Sequence, residues 1–296
     1  MSGLTFGLAL DLGSDRPLPP QLQTAEQFLS RAAEAGLESV WLGESYHSSP
    51  RSFHLPSPLI SLSHLAALTP LQLGTGVLLA RTYDPARLAV EAALVDQISA
   101  GRLTLGIGLG APALRGTFGG PDQPGGAAID RLLTSLRRPV VPPHYRPTGP
   151  KLLVGGQGDA AARRAARSAD GYYAATNYSD RLLRSQCANY QGHLTEGQPA
   201  TITVNRLCLI AEDSAEAHHQ AEQTFKNIRS YYTNAGLWNI GATTDDPEPW
   251  LVGTPKEVSK HLEQYREWGV THVQLRLLPT DAPHNATRTL DLLADR

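Results

Sequence analysis

The 296-residue sequence predicts an α/β fold with eight parallel strands, a (β/α)8 or TIM barrel. Strand-like and helix-like segments alternate along the chain, which is typical of parallel sheets with helical crossovers. Several strand-like segments are apolar on both faces, as expected where helices cover a sheet. No change in composition marks a linker, so we expect one domain over residues 1–296, which fits a barrel of roughly 250 residues with insertions. A doubly wound sheet is the alternative, although it usually has fewer strands per domain.

The predicted strands are short apolar runs, several of which end in glycine. They cover residues 4–10, 39–44, 71–79, 103–110, 151–156, 171–176, 203–211 and 270–277. Two stretches interrupt the alternation, at 111–128 and 231–250, and are rich in Gly, Pro, Asn or Asp. We expect both to be loops at the rim, which is the usual place for ligand contacts.

Helical periodicity separates most of the strands. The segments Leu22–Ala33 and Leu88–Ile98 repeat apolar residues with a 3.6-residue period, and each stops shortly before a glycine. The last long helix has a clear start, because Thr254 can cap it, Pro255 suits its first position and Glu257 completes a capping box.

Composition and charge exclude several classes of partner. A net charge of −2 gives no electrostatic reason to expect nucleic acid or an anionic membrane. No apolar run is long enough to span a bilayer, and the N-terminal residues suit a first strand better than a signal peptide. Cys187 and Cys208 lack metal-site spacing, so we expect no metal and a reducing, cytoplasmic location.

A glycine-rich loop follows the fifth predicted strand and leads into an alanine-rich helix. Taken alone, Gly156–Ala161 fits the dinucleotide fingerprint G-x-G-x-x-A. A Rossmann-type dehydrogenase also needs an acidic residue closing a strand about 20 residues later, but the next strand ends in Thr176. At a barrel rim the loop instead suits a phosphate, because the first N–H groups of a helix attract anions. Asp159 would repel a phosphate, so we expect it to cap the helix and point away.

Residues 73–110, LGTGVLLARTYDPARLAVEAALVDQISAGRLTLGIGLG, resemble the central signature of the bacterial luciferase-like flavin monooxygenases. The pairs Gly74-Thr75, Asp84-Pro85 and Gly101-Arg102, with Asp96-Gln97-Ile98-Ser99 between them, follow the family's order. Residues 33–44, 153–173 and 251–275 resemble three further units of that family. The resemblance covers most of the chain and implies a (β/α)8 barrel.

The resemblance further implies that a flavin carries the chemistry. Reduced flavin mononucleotide (FMN) would react with O2, and one oxygen atom would enter a small organic substrate while the protein positions the ring and excludes water. A separate flavin reductase would supply the reduced flavin, and a homodimer is expected by analogy. Two alternatives stay open: a deazaflavin-dependent hydride-transfer oxidoreductase of the same family, and a flavin-binding protein without turnover.

The cofactor residues implied by the resemblance lie at strand ends and in the glycine-rich loop. They are Glu44, Gly76, Val77, Gly108, Gly155, Gly156, Gln157, Gly158 and Asn177. The loop residues are the expected phosphate site, and Gly76–Val77 is the candidate for the family's non-prolyl cis peptide beneath the ring. Leu109 stands where the family often has a basic residue contacting the phosphate, so Arg81 or Arg115 is the candidate replacement.

The candidate catalytic residues are His47, Tyr83 and Arg206. His47 comes after Glu44-Ser45-Tyr46, where the family usually places histidine directly after the glutamate, and Tyr83 follows the third strand at the rim. Arg206 lies within an apolar strand, and a buried arginine needs a charged partner. Either an anionic ligand or an internal salt bridge would satisfy it.

Overall fold

Eight parallel strands close into a barrel, which confirms the predicted fold class. The computed structural model describes residues 3–13, 16–46, 54–55, 57–110, 114, 118, 125–138, 149–278 and 282–294. Its strands are β1 (Thr5–Leu10), β2 (Ser39–Leu42), β3 (Ser45–Tyr46), β4 (His54–Leu55), β5 (Gln72–Leu79), β6 (Leu103–Gly108), β7 (Lys151–Gly155), β8 (Gly171–Ala174), β9 (Ile202–Ile210), β10 (Trp250–Gly253) and β11 (His272–Arg276). The barrel order is β1-β2-β5-β6-β7-β8-β9-β11, and β11 pairs with β1 to close it.

Helices surround the barrel at the positions that the alternating pattern indicates. They are α1 (Leu18–Glu34), α2 (Pro58–Leu65), α3 (Pro85–Ile98), α4 (Gly125–Arg137), α5 (Asp159–Ser168), α6 (Asp180–Gly192), α7 (Ser214–Thr224), α8 (Lys226–Asn234), α9 (Pro255–Glu267) and α10 (Pro283–Ala294). The predicted capping box is present at α9, where Thr254 accepts from the Glu257 N–H and the Glu257 carboxylate accepts from the Thr254 N–H. Among the helices described, none is both long and apolar enough to cross a membrane.

The two predicted rim loops are partly regular structure. Helix α4 already begins at Gly125, and α8 covers the first residues of the second stretch. Trp250 begins β10, which pairs in parallel with Leu207–Ile210. This additional strand forms because β8 and β11 pair with β9 only over its first six residues, so its C-terminal half has room for another partner.

Two apolar layers position the site. The larger one fills the space between the barrel and its helices and includes Leu8, Val40 and Leu275. The smaller one lies inside the barrel, where Ala9, Trp41, Leu153 and Tyr173 pack together. Side chains therefore alternate between the two layers along each strand.

Below the inner layer, the barrel interior is closed by hydrogen bonds. The His272 ring contacts the Thr5 hydroxyl at 2.7 Å and the Ser39 hydroxyl at 3.0 Å, and the Trp41 indole N–H donates to Ser39 at 2.7 Å. Burial lowers the pKa of His272 to about 4, so the ring is neutral at pH 7. Ligand access is thus at the opposite, C-terminal end of the strands.

Candidate active site at the C-terminal end of the barrel

A cavity of about 490 Å³ opens at the C-terminal ends of the strands, where barrel enzymes bind their ligands. Its walls come from β1, β2, β5, β8, β9 and β11 and from the segment around α8. The polar and aromatic side chains that line it are those of Asp11, Trp41, Glu44, Ser45, Tyr173, Thr176, Asn205, Tyr231, Tyr232 and Arg276.

Gly76 and Val77 line this cavity, and the peptide bond between them is cis, as predicted. A Cβ at Gly76 would lie 2.5 Å from the Tyr173 hydroxyl and 2.9 Å from Gln274 Oε1. No side chain fits in that space, so glycine is required where β5 crosses the cavity wall.

Glu44 lies buried at the edge of the cavity and accepts hydrogen bonds from three donors. Its carboxylate accepts from the Tyr46 hydroxyl at 2.5 Å, the Tyr83 hydroxyl at 2.7 Å and the Leu79 backbone N–H at 2.8 Å. Burial raises the pKa of Glu44 above its usual 4.5 despite these hydrogen bonds. Two predicted site residues, Glu44 and Tyr83, are thus brought together, whereas His47 lies outside the described residues.

Buried polar side chains form the floor of the cavity, and the sequence analysis did not identify them. Gln274 Oε1 accepts from the Tyr173 hydroxyl at 2.9 Å and from Asn205 Nδ2 at 3.2 Å. Gln274 and Asn205 are paired in register on β11 and β9. An amide within an otherwise apolar strand is the signal in the sequence for such an inward-facing position.

An ion pair between Asp11 and Arg276 also belongs to the site and was missed. Nε and Nη2 of Arg276 both donate to the Asp11 carboxylate, at 2.8–3.1 Å, and only 7% of the Arg276 side chain is exposed. Burial alone would lower the pKa of Arg276, but Asp11 and Tyr232 outweigh it and raise this pKa. The Arg276 guanidinium is therefore charged, and the Asp11 carboxylate beside it neutralises that charge.

The glycine-rich loop adjoins the barrel rim but does not contribute to the lining of this cavity. A Cβ at Gly155 would contact the Tyr173 carbonyl oxygen at 3.0 Å, and Gly156 has a φ of +156° that disfavours other residues. Gly158 is the N-cap of α5, and beyond its missing Cβ there is open space. Gln157, between these glycines, is exposed.

The expectation that Asp159 caps α5 is wrong, because Gly158 holds that position. The Asp159 carboxylate instead contacts Nε2 of His193 at 2.6 Å and accepts from Arg163 Nη1 at 3.3 Å. The hydrogen bond to His193 is the main reason that the pKa of Asp159 is lowered. Its charge is compensated by these two side chains.

Arg206 lies between the barrel and its helices, outside the cavity lining. It is fully buried, Nε donates to the Tyr265 hydroxyl at 2.7 Å, and Nη2 donates to Asp180 at 3.3 Å. The carbonyl oxygens of Ala175 and Asn205 accept from Nη1, each at 3.2 Å. Of the two alternatives raised by the sequence, the structure shows the internal salt bridge. The pleat explains the outcome, since Asn205 faces the cavity and its neighbour therefore faces outward.

The remaining predicted residues occupy supporting positions. Asn177 Nδ2 donates to the Leu237 carbonyl at 2.6 Å, which fastens a cavity-lining segment to the end of β8. A Cβ at Gly108 would lie 2.8 Å from a methyl group of Val77, so β6 packs closely behind the cavity wall. Arg81 donates to the Gly110 carbonyl, and Arg115 lies outside the described residues. Within the described part of the chain, no three His, Cys, Asp or Glu side chains group as metal ligands do.

Solved structures share this barrel over nearly the whole chain. Apo-MsnO8 superposes with a TM-score of 0.77 at 20% identity, covering 99% of this chain and 98% of that one. The oxygenating constituent of 3,6-diketocamphane monooxygenase from Pseudomonas putida, in complex with FMN, gives 0.75 at 18% identity, with 99% and 97% covered. The coenzyme F420-dependent tetrahydromethanopterin reductase from Methanopyrus kandleri gives 0.69 at 17% identity, with 99% and 98% covered. At these identities the likeness establishes the fold.

Two curated relatives match shorter segments. The uncharacterized protein y4vJ of Sinorhizobium fredii is 34% identical over 111 residues, which are 37% of this chain and 31% of that protein. The oxygenase component of the flavin-dependent trigonelline monooxygenase of Acinetobacter baylyi is 37% identical over 100 residues, 33% of this chain and 27% of that protein. The matched segments span less than a third of the length of either relative.

A family model gives the broader match. The luciferase-like monooxygenase model aligns with residues 5–272, from the first residue of β1 to the first residue of β11. This range contains all but the last three of the residues, 273–275, that carry the resemblance seen in the sequence. The chain therefore belongs to the luciferase-like monooxygenase family.

Proposed function

We propose that this protein is a flavin-dependent monooxygenase that uses reduced FMN and O2 to oxidise a small organic substrate. The observation that carries the proposal is the cavity at the C-terminal end of the barrel, walled by Gly76, Val77, Trp41 and Tyr173. Its volume falls within the roughly 300–1,000 Å³ typical of small-molecule sites, and its apolar walls with few polar groups suit a planar ring.

The residues present fit a flavin phosphate as well as a ring. The first turn of α5 presents backbone N–H groups and the positive end of the helix dipole. Gly158 leaves the space before that turn open. Asp159 does not oppose an anion with a full charge there, because Arg163 forms an ion pair with it. We assign the phosphate to Gly155, Gly156, Gln157 and Gly158.

When bound, reduced flavin would supply the electrons for oxygen activation. The protein's own residues would form the walls of the site and exclude water from it. Gly76 and Val77 would form the wall against the ring, and Glu44 would fix that wall by accepting from the Leu79 N–H. Tyr231 and Tyr232 would cover the cavity and exclude water.

A deazaflavin-dependent hydride-transfer oxidoreductase is the second candidate. The similarity to the coenzyme F420-dependent reductase favours it, as does the Glu44-Ser45-Tyr46 sequence, which differs from the usual glutamate–histidine pattern. A flavin-binding protein without turnover is the third candidate.

The deciding experiment is to titrate the protein with oxidised FMN and with oxidised deazaflavin separately, following absorbance and fluorescence. We expect FMN to bind and reduced FMN to be consumed faster when the substrate is present. Binding of the deazaflavin alone would favour hydride transfer, and tight FMN binding without substrate-dependent oxidation would favour the third candidate. Failure of both cofactors to bind contradicts the whole proposal. Activity assays need an added flavin reductase, the partner that we propose supplies reduced FMN.

We also propose a homodimer formed through α2 and α3. Exposed apolar side chains gather on these helices, with Ile60 76% exposed and Val90, Leu94 and Ile98 spaced four residues apart on one side of α3. Such an apolar patch is typical of an interaction surface, and a second copy of the chain can bury it symmetrically. In light scattering after size-exclusion chromatography, the wild type should be a dimer and Leu94→Glu a monomer. A monomeric wild type refutes this assignment.

We place the protein in the cytoplasm, where the buried thiols of Cys187 and Cys208 would stay reduced.

A further inference from the structure

Besides Nε2 of Gln274, two buried polar atoms at the cavity have no hydrogen-bond partner in the described part of the chain. They are the hydroxyl oxygen of Thr176 and Oδ1 of Asn205. Only 3% of Thr176 and 6% of Asn205 is exposed, and both residues line the cavity. Buried polar groups almost always have partners, so an unsatisfied pair in a cavity wall indicates a ligand that supplies them.

The two atoms lie on neighbouring strands and are held in place. Thr176 follows β8, and Asn205 lies on β9, which pairs with β8. Asn205 already donates through Nδ2 to Gln274, which fixes the side chain and leaves Oδ1 for the cavity. The cavity therefore offers a hydroxyl that can donate and an amide oxygen that accepts, and a substrate hydroxyl group can satisfy both because it accepts and donates.

The charges around the cavity disfavour an anion. Arg276 is the cation among the lining residues that the structure describes, and Asp11 binds it through both carboxylate oxygens. Glu44 adds a second carboxyl group on another wall. A carboxylate substrate would meet two acidic side chains and a cation that is already neutralised.

The rest of the lining suits an apolar body. Tyr231, Tyr232, Leu237, Leu114 and Leu55 contribute aromatic and aliphatic surface. Such walls bury a hydrocarbon or aromatic skeleton, while a few polar groups fix its orientation.

We infer that the cavity binds an uncharged apolar substrate through a hydroxyl group, which accepts from the Thr176 hydroxyl and donates to Asn205 Oδ1, and that Asp11 excludes carboxylates by neutralising Arg276. This inference rests on the proposed function only in taking the ligand to be the substrate. Thr176, Asn205 and Asp11 are thus specificity-determining residues.

Three probes of similar size test the inference: 1-phenylethanol, benzoate and ethylbenzene. Their affinities are measured at pH 7 by calorimetry or ligand-observed NMR, on both FMN-loaded and cofactor-free protein. The alcohol should bind about tenfold more tightly than the other two, because a site built for hydrogen bonding rejects analogues that leave it unpaired. Benzoate binding as tightly as 1-phenylethanol, or no binding of 1-phenylethanol, overturns the inference without any variant.

Variants then assign the residues. Thr176→Val and Asn205→Leu should lower 1-phenylethanol affinity to that of ethylbenzene while the Kd for FMN stays unchanged. Asp11→Asn should raise benzoate affinity about tenfold by releasing the charge of Arg276. Asp291→Asn, which removes a carboxylate from an exposed ion pair with Arg31, is the matched control and should change nothing.

Two further results contradict the assignment: no gain of benzoate binding in Asp11→Asn, or weaker FMN binding in the Thr176 and Asn205 variants with 1-phenylethanol binding unaffected. FMN titration of the same samples separates this question from the proposed function. If FMN fails to bind while the preference for 1-phenylethanol persists, the proposed cofactor is wrong and the selectivity of the cavity stands.

Discussion

Substitutions at Arg206 and Asp180 test whether this buried pair stabilises the fold or serves the site. Arg206 is completely buried, and the Asp180 side chain is 15% exposed. Asp180 also contacts His261 at 2.5 Å and accepts from the Tyr265 hydroxyl at 2.8 Å. Burial alone would raise the pKa of Asp180, but His261 and Arg206 outweigh it and lower this pKa, so the carboxylate is ionised at pH 7.

Removing one partner leaves the other charge buried without compensation. Asp180→Asn should therefore lower the free energy of unfolding by about 3–5 kcal/mol. Arg206→Met should cost a similar amount, because it also leaves the carbonyl oxygens of Ala175 and Asn205 without their donor, each worth about 1–3 kcal/mol. The double variant should lose about 0.5–3 kcal/mol less than the sum of the two single losses, since residues in contact are not additive.

Urea unfolding at pH 7, followed by circular dichroism, gives the three free-energy differences. FMN affinity is measured on the folded fraction of each variant. We expect large losses of stability and an unchanged Kd for FMN. A loss below about 1 kcal/mol for Asp180→Asn, together with abolished FMN binding or turnover in Arg206→Met, would refute the structural role and return Arg206 to the active site.

Two further substitutions test the wall of the cavity. Gly76→Ala places a methyl group 2.5 Å from the Tyr173 hydroxyl and 2.9 Å from Gln274 Oε1. The affinity for FMN should therefore fall at least about tenfold. Gly192→Ala is the control, because nothing lies within 4 Å of the new carbon, and this variant should bind FMN normally. For Glu44, whose pKa is raised by burial, the folded protein keeps its proton to higher pH than the unfolded chain. The stability of the wild type relative to Glu44→Gln should accordingly fall as the pH rises from below 4.5 through that raised pKa. Urea midpoints for both proteins from pH 4 to 8 measure this difference, and a difference independent of pH would contradict the assignment.

The eight barrel strands could be predicted because each has four residues or more and most of them are apolar runs buried on both faces. Strands β3 and β4 have two residues each, too few to show any period. β10 follows a Pro- and Asp-rich segment and pairs only with the C-terminal half of β9, so its four residues resemble the end of a loop. The missed elements are those whose stability comes from a tertiary partner rather than from a local pattern.

The residues of the candidate site also fall into those with a local sequence signal and those brought together only by the fold. Glu44, Gly76 and Val77 could be identified because they belong to contiguous segments that resemble a family. Asp11 and Arg276 are 265 positions apart, and their ion pair has no local signal. Each nevertheless lies at the C-terminal end of a barrel strand, where a charged residue is a functional candidate.

Arg206 shows why position along a strand is not enough. It lies in register with Leu275, which faces the helices, whereas its neighbour Asn205 lies in register with Gln274, which faces the barrel axis. Side chains alternate with a period of two, so Arg276, two residues after Gln274, faces inward and Arg206 faces outward. Both arginines are buried and paired with an aspartate. Arg276 lies in the cavity and Arg206 does not, only because the two side chains point to opposite faces of the barrel wall. Polar residues that are in register on neighbouring strands identify the inner face of the barrel. A charged residue an even number of positions from them on the same strand belongs to the site, and one an odd number of positions away belongs to the layer between barrel and helices.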